Sequence, residues 1–456
     1  MKNYDVIVIG SGAGAIISDE AAAQGLKTAL IDKGPLIGGT CLNWGCIPSK
    51  MLIYTADRTV DIKEAKKLGI EAEIKNIDFH SIMERMRKSR QADQVQIREG
   101  IKQSKNLDFY EGEGYFVGDY ILEVNGEKLK GEKVFIASGS RPFIPPIKGS
   151  ENVDHLTNES VLELTGKPDS LILIGGGYIA VEFGHFFAAM GTEVTILEMA
   201  DRLVLSEEPE ISDLLKSELS KRMGVFTNAL VEEVKESKHG VVVVTKDTNT
   251  SKRREFAAQR IMMAVGRRSN ADILKVENTG VETDRKGFIK VNEYLETNRK
   301  GIFAIGDANG QQMFRHMANR EAEIVTQNAF YGTNIKVDYS AVPHAVYSHP
   351  QVASVGLTEA QAREKHNILI GRMKYFDIAK GEAMMEKQGF AKAIVEKESS
   401  KILGFHIIGP YAPELLQEVV NAMTSGGGME ELGQGIHIHP SLSELIQYTL
   451  NSLEES

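Results

Sequence analysis

The chain has 456 residues, 42% hydrophobic and 25% charged, too many for one hydrophobic core, so two to four domains are expected. A formal net charge of -10 offers no basic footprint for nucleic acid, and no apolar run approaches the roughly 18–20 residues that span a bilayer. The opening run Val6 to Ile9 is too short for a signal peptide, which makes the cytoplasm the expected address.

In chain order, Tyr4 to Ile9 reads as a buried strand, Gly10 to Ala15 as a glycine turn, the next residues as an alanine-rich helix, and Thr28 to Asp32 as a second strand ending in a carboxylate. The cysteine segment follows at 38–50. Residues 58–105 are rich in Lys, Arg and Glu and read as solvated helices. Proline-rich 142–146 marks a stiff exit from the first domain. At 170–198 the opening plan returns: Ser170 to Ile174, the turn Gly175 to Ala180, a helix, and a strand running into Glu198. After 264–268 the pattern changes, and from about 340 strands and helices alternate without a glycine fingerprint. The expected fold is α/β, with two Rossmann-like dinucleotide-binding domains and a C-terminal α+β domain. The expected boundaries are 1–148, 149–266, 267–339 and 340–456, the third segment returning to the first domain.

Each glycine turn has a physical purpose. Gly10 permits the tight turn, Gly12 lets backbone approach a pyrophosphate, and Ala15 sits where helix must pack close to strand. Helix N-termini then offer free N–H groups and partial positive charge to phosphates. Asp32 stands where a carboxylate accepts from ribose hydroxyls. Gly175, Gly177, Ala180 and Glu198 take the same parts in the second unit. A carboxylate at 198 favours free ribose hydroxyls over a 2′-phosphate, hence NAD over NADP, although Arg202 nearby keeps NADP open.

The only cysteines, Cys41 and Cys46, lie five residues apart. Zinc lacks further soft ligands nearby, so no metal is expected. On a regular helix their Cα atoms would be roughly 8–9 Å apart, beyond the ~7 Å a disulfide spans. A helix must therefore break or begin between them, as Gly45 and Pro48 suggest, and the pair reads as redox-active. Lys50, one turn after Cys46, puts a cation near a thiolate. At the far end His439 and Glu444 supply an imidazole and the carboxylate to orient it, the acid–base pair that thiol–disulfide exchange requires.

With these segments quoted, the chain resembles the flavin-dependent pyridine nucleotide–disulfide oxidoreductases, the group that includes dihydrolipoamide dehydrogenase, glutathione reductase and mycothione reductase. The likeness runs nearly end to end and is most specific in GGTCLNWGCIPSK at 38–50 and in the HPSLSE tail at 439–444. It implies FAD on the first unit, with Gly39, Thr40, Gly114, Ser138, Gly139 and Asp307 around it and Met313 to His316 near its ring. It implies NAD(H) on the second unit, with Tyr178 as a gate and Gly266 beside it. Glu182 would pair with Lys50, Cys46 would face the flavin, and Cys41 would meet the substrate. His439 and Glu444 would come from the second subunit of a homodimer with shared active sites, and His439–Pro440 is a candidate cis bond. The substrate is a small-molecule or lipoyl-domain thiol or disulfide. A dihydrolipoyl group leads, and a low-molecular-weight disulfide or a non-enzymatic redox sensor are the alternatives. Met313 to Asn319 leans toward mycothione reductases and the tail toward dihydrolipoamide dehydrogenases; mercuric reductase lacks support because no C-terminal cysteine pair is present. Trp44 and the pair Asp19–Glu20 depart from the usual pattern: Trp44 either fills a gap or narrows access to the flavin.

Overall fold

A computed structural model describes residues 1–455. Strand Lys2–Ile9 is central because its β-branched Val6, Ile7, Val8 and Ile9 are buried on both faces. It feeds helix α1 (Gly14–Ala23) and pairs in parallel with Thr28–Asp32. The first sheet has seven strands, including antiparallel hairpins at 115–136 and the late strand Ile302–Ala304, which pairs in parallel with Glu127–Ile136. The chain therefore returns to its first sheet after completing the second unit. The exit at 142–146 follows Ser140–Pro142, which pairs with the returning Arg267–Ser269.

Between the first two strands and the second unit come helices α2 (Gly39–Trp44), α3 (Cys46–Glu64) and α4 (Phe79–Gln103). The expectation of solvated helices at 58–105 needs correction. The segment is largely helical, but α4 buries Phe79, Met83, Met86, Arg90 and Gln94. Charge composition hid that face, because Arg90 is satisfied internally by Glu163 at 2.7 Å and the Asn43 carbonyl at 3.2 Å. Leu52, Ala56 and Val60 of α3 join Phe79 and Met83 against Phe183, Phe186 and Phe187 of the next helix, α5 (Tyr178–Ala189). The cysteine-bearing helix is thus clamped between the two βαβ units.

The second unit centres on four parallel strands, ordered Gly224–Phe226, Glu193–Leu197, Ser170–Ile174 and Arg260–Met263, with a three-stranded antiparallel sheet alongside. Helix α6 (Pro209–Leu219) follows its second strand. After α7 (Arg315–Tyr331) the chain forms a six-stranded antiparallel sheet from Pro343–Val346 onward, covered by helices Ala412–Thr424 and Glu444–Asn451. Glu20 accepts from the Tyr331 hydroxyl and so clips α1 to the end of α7; Asp19 stays exposed. Among the described residues no helix is long and apolar enough to cross a membrane.

Candidate active site

The two βαβ units agree in detail that pattern alone does not carry. Gly10 has φ +104° and Gly175 +111°, and a Cβ there would stand 2.2 Å from the Ala137 carbonyl oxygen and 2.4 Å from that of Ala264. Only glycine fits either place. The carboxylates repeat too: Asp32 accepts from the Ser11 N–H at 2.8 Å, and Glu198 from the Gly176 N–H at 2.5 Å. Each acid is held at its glycine turn before any ribose arrives. The expected equivalence of the third fingerprint positions is imperfect. Ala180 is fully buried, but Ala15 is half-buried, and the tightest approach of helix to strand falls on Gly14, whose Cβ would meet Val8 at 2.8 Å. Gly177 caps α5.

A helix does begin between the cysteines. α2 ends at Trp44, Gly45 turns the chain at φ −132°, ψ −119°, and α3 starts at Cys46 with Pro48 inside its first turn, where a missing N–H costs nothing. Buried Asn43 braces the turn by donating to the Ile37 and Gly39 carbonyls at 2.8 and 3.0 Å and accepting from Gln94. Nothing in the sequence pattern singled out Asn43, whose one signal was its place two residues before Gly45 in the cysteine segment. The two sulfurs lie within hydrogen-bonding reach of each other, the adjacency that the expected redox pair requires. The hydrogen bond from Cys46 brings Cys41 down to about 7 against its burial, with Arg315 and the first N–H groups of α3 assisting. The shared proton and burial push Cys46 up, with Lys50 opposing.

Behind the sulfurs, Lys50 meets both carboxylate oxygens of buried Glu182 at 3.0 and 2.8 Å. Glu182 also accepts from the Tyr347 N–H at 3.0 Å, and the Lys50 ammonium sits 4.7 Å from the Tyr347 ring centre. Tyr178 is exposed at the first turn of α5, on the same side as Glu182. A cavity of about 920 Å³ joins these groups to the first glycine turn and to the start of α7.

Residues 4–322 match the family described as pyridine nucleotide-disulphide oxidoreductase, and residues 342–450 match its dimerisation domain. The chain belongs to this family. It is 34% identical over 466 residues to a mycothione reductase of Mycobacterium tuberculosis (strain ATCC 25618 / H37Rv), covering 99% of this chain and 100% of that protein. A dihydrolipoyl dehydrogenase of Bacillus subtilis (strain 168) is 34% identical over 463 residues, covering 97% of this chain and 96% of that one. Among solved structures, the HOCl-induced flavoprotein disulfide reductase RclA from Escherichia coli superposes with a TM-score of 0.88 at 28% identity, covering 98% and 99% of the two chains. The enzymes of this family use FAD and NAD(P), and the dimerisation-domain match supports a homodimer.

The cavity of this oxidoreductase fits FAD on its own evidence. Gly12 and Gly39 touch so closely that a Cβ on Gly39 would lie 2.6 Å from the Gly12 Cα, which leaves bare backbone facing the cavity. On its wall the Ser138 hydroxyl and Asn319 carbonyl oxygen are buried without a partner, polar atoms that await one. Asp32, Thr40, Gly114, Gly139, Asp307, Met313 and His316 line it as well. Asp307 is fixed by the Ser140 hydroxyl at 2.5 Å, and His316 by the Pro343 carbonyl at 2.8 Å. Trp44 packs on the α5 core and also lines the cavity. Of the residues expected to hold NAD, Tyr178 and Glu182 line this cavity; Gly175, Gly177, Ala180, Glu198 and Gly266 lie beyond it, along the second unit.

Two further residues had no sequence signal. Glu321 of α7, fully buried, accepts from the Gly306 N–H at 2.6 Å, the Asn309 amide at 3.1 Å and the Tyr339 hydroxyl at 2.7 Å, and so fixes the turn that presents Asp307. His344 bonds fully buried Glu207 at 2.6 Å on the cavity wall and stacks on Phe314 at 5.7 Å. Burial alone would lower the His344 pKa, but the Glu207 bond and charge outweigh it and raise it.

The tail dyad is formed within the chain: His439 Nδ1 lies 2.9 Å from Glu444, which also accepts from the Ser441 N–H at 3.0 Å, and the His439–Pro440 bond is cis. Glu444 is buried while His439 is largely exposed, and neither lines this chain's own cavity. The acidic cluster Glu208, Glu210 and Glu359 has the spacing of a metal site, but the Lys392 ammonium occupies its centre.

Proposed function

We propose that this chain forms a homodimeric oxidoreductase that exchanges electrons between NAD(H) and a dihydrolipoyl dithiol through Cys41 and Cys46. The carrying observation is the cavity itself, which has the sulfur pair astride the α2–α3 junction and the Lys50–Glu182 pair with Tyr178 in one continuous lining. In this reading residues 1–148 and 267–339 hold FAD, 149–266 hold NAD, and 340–456 form the dimer. Glu198, already fixed by the Gly176 and Ala200 N–H groups, accepts from ribose hydroxyls and repels a 2′-phosphate, which favours NAD.

Bound FAD supplies the two-electron relay between the nicotinamide and the sulfurs. The remaining steps belong to side chains. In the reducing direction the Cys41 thiolate attacks one sulfur of a substrate disulfide, the S–S bond breaks, and the leaving thiolate takes a proton from His439 of the partner subunit. Cys46 then attacks the Cys41 sulfur, which releases the second substrate thiol and closes the Cys41–Cys46 disulfide. Two thiols of the enzyme are oxidised and one substrate disulfide is reduced. For a dihydrolipoyl substrate each step reverses, and the same imidazole, kept basic by Glu444, removes the substrate proton. Lys50, neutralised by Glu182, holds its position beside Cys46.

A second reading, reduction of a low-molecular-weight disulfide, draws support from the segment Met313 to Asn319 and from the likeness to mycothione reductase over 99% of the chain. Steady-state rates with dihydrolipoamide plus NAD, set against NADH plus a panel of small disulfides, separate the two. Cys46→Ser is expected to abolish both reactions with FAD still bound; retained turnover refutes the sulfur relay.

A further inference from the structure

Two neighbouring carboxylates cross from the second unit to the C-terminal sheet, and one of them reaches the cavity. Glu208 meets Lys392, neither of which lines the cavity. Glu207 meets His344 at 2.6 Å, and His344 does line it. The Glu207 side chain is fully buried, and it also accepts from the hydroxyl of Ser354, the residue directly across the strand pair from His344. A carboxylate so enclosed needs a positive partner. Lys392 already fastens the unit to the sheet, so fastening alone does not account for a second pair that ends at the cavity.

Both ends of the Glu207–His344 pair are tied to places where a dinucleotide is expected. On one side, the Glu207 N–H donates to the Val204 carbonyl at 2.8 Å, the Val204 N–H donates to the Gly176 carbonyl at 2.9 Å, and the Gly176 N–H holds Glu198. The fit there is close: a Cβ on Gly176 would lie 2.8 Å from both Leu203 and Glu198. On the other side the His344 ring stacks on Phe314, the residue before α7, at 5.7 Å and 11°. Phe314 stacks in turn on His316 at 5.5 Å. Three residues past His344, the Tyr347 N–H reaches Glu182, the partner of Lys50. His344 thus stands between the second glycine turn and the cavity wall.

We infer that His344 is a positioning residue for NAD(H), its imidazolium seated on Glu207 so that the second glycine turn and Glu198 are held in register with the cofactor cavity. The inference rests on the reading of the second unit as the NAD(H) site. The groups that face the ring agree on where the proton sits. Burial works against charge on His344, but the Glu207 bond and charge outweigh it. From α7, His316 is held down by its burial and by the charge on His344. Ser354 brings a neutral hydroxyl from the next strand, and His406, on the far side of Glu207, is held down by burial. Once His344 loses its proton at high pH, Glu207 is an enclosed charge without a cation, and the loop that carries it must shift toward water. That shift loosens Val204 from Gly176 and with it the seat of Glu198.

The test is equilibrium dialysis of NAD+ against oxidised, FAD-loaded enzyme, which binds without turning over, across a series from about pH 6 to about pH 9. The wild-type Kd is expected to rise as pH climbs through the raised pKa of His344. His344→Gln should weaken NAD+ by roughly tenfold above neutrality, since it leaves Glu207 without a cation. Adding Glu207→Gln makes an uncharged amide pair, which should return the Kd to within about threefold of wild type and make it independent of pH. A Kd unchanged in His344→Gln, or a double variant as weak as the single one at every pH, overturns the inference. The second result is what a merely structural role for the imidazole gives. The two layers separate cleanly: if the wild-type enzyme takes up no NAD+ at any pH, the reading of the second unit falls, whereas firm wild-type binding that neither variant alters removes only the role of His344.

Discussion

Replacing Lys392 by Met should test how the second unit is fastened to the C-terminal sheet. Lys392 is 2% exposed and lies 2.7, 2.6 and 2.7 Å from Glu208, Glu210 and Glu359. Glu210 keeps Arg372 at 3.2 Å and Glu359 keeps Arg363 at 2.7 Å when the lysine is gone. Glu208, also 2% exposed, is left with the Glu359 N–H at 2.5 Å and with His406, 4.0 Å away and disfavoured from charging by its burial. The loss therefore concentrates on one buried carboxylate, and removal of one partner from a buried pair costs about 3–5 kcal/mol. At roughly 2–4 °C per kcal/mol, the apparent Tm should fall by about 10 °C. Adding Glu208→Gln should recover at least half of that, because the orphaned charge disappears with it. The assay is thermal and urea unfolding of the holoenzyme, single and double variants together. A single-variant loss below about 1 kcal/mol, or a double variant no better than the single, would refute the argument, since an unpaired buried charge cannot be that cheap.

Two other outcomes follow from the structure. His185 is fully buried, hydrogen-bonded to Asp57 at 2.9 Å and to Arg222 at 3.0 Å, and burial lowers its pKa from 6.5 to about 4. As pH falls below 6.5 the unfolded chain takes a proton that the folded chain refuses, so stability should be lost progressively down to about pH 4, by about 3 kcal/mol in all. His185→Asn should flatten that limb in pH-dependent urea titrations; an unchanged slope would show that the imidazole is charged in place. At the second unit, Glu198→Gln should narrow the preference for NADH over NADPH by roughly tenfold, the range of one charged hydrogen-bond contact. Steady-state kinetics with both cofactors read the ratio, and an unaltered ratio would remove Glu198 from cofactor choice.

The parts legible in the sequence are those whose chemistry is local. Gly10 and Gly175 are forced by backbone that no other residue fits, so the turns announce themselves wherever the strand and helix patterns flank them. The break between Cys41 and Cys46 was legible for the same reason, since helix geometry forbids the pair without it. Composition misled at α4, where Arg90 and Gln94 are buried yet satisfied by Glu163 and Asn43, partners far along the chain. Ala15 was given a packing role that belongs to Gly14, because a fingerprint names positions but not the angle at which helix meets strand.

By itself the sequence determined two βαβ units, their carboxylates and a sulfur pair astride a helix start, because each follows from bond geometry and side-chain periodicity within about thirty residues. Only the tertiary structure decided what surrounds them. Glu182 reaches Lys50 across 132 positions, His344 reaches Glu207 across 137, and Arg315 comes to rest beside Gly12 of the first glycine turn. Such meetings depend on how three layers pack, and periodicity along one strand or helix carries no information about the face another element will present.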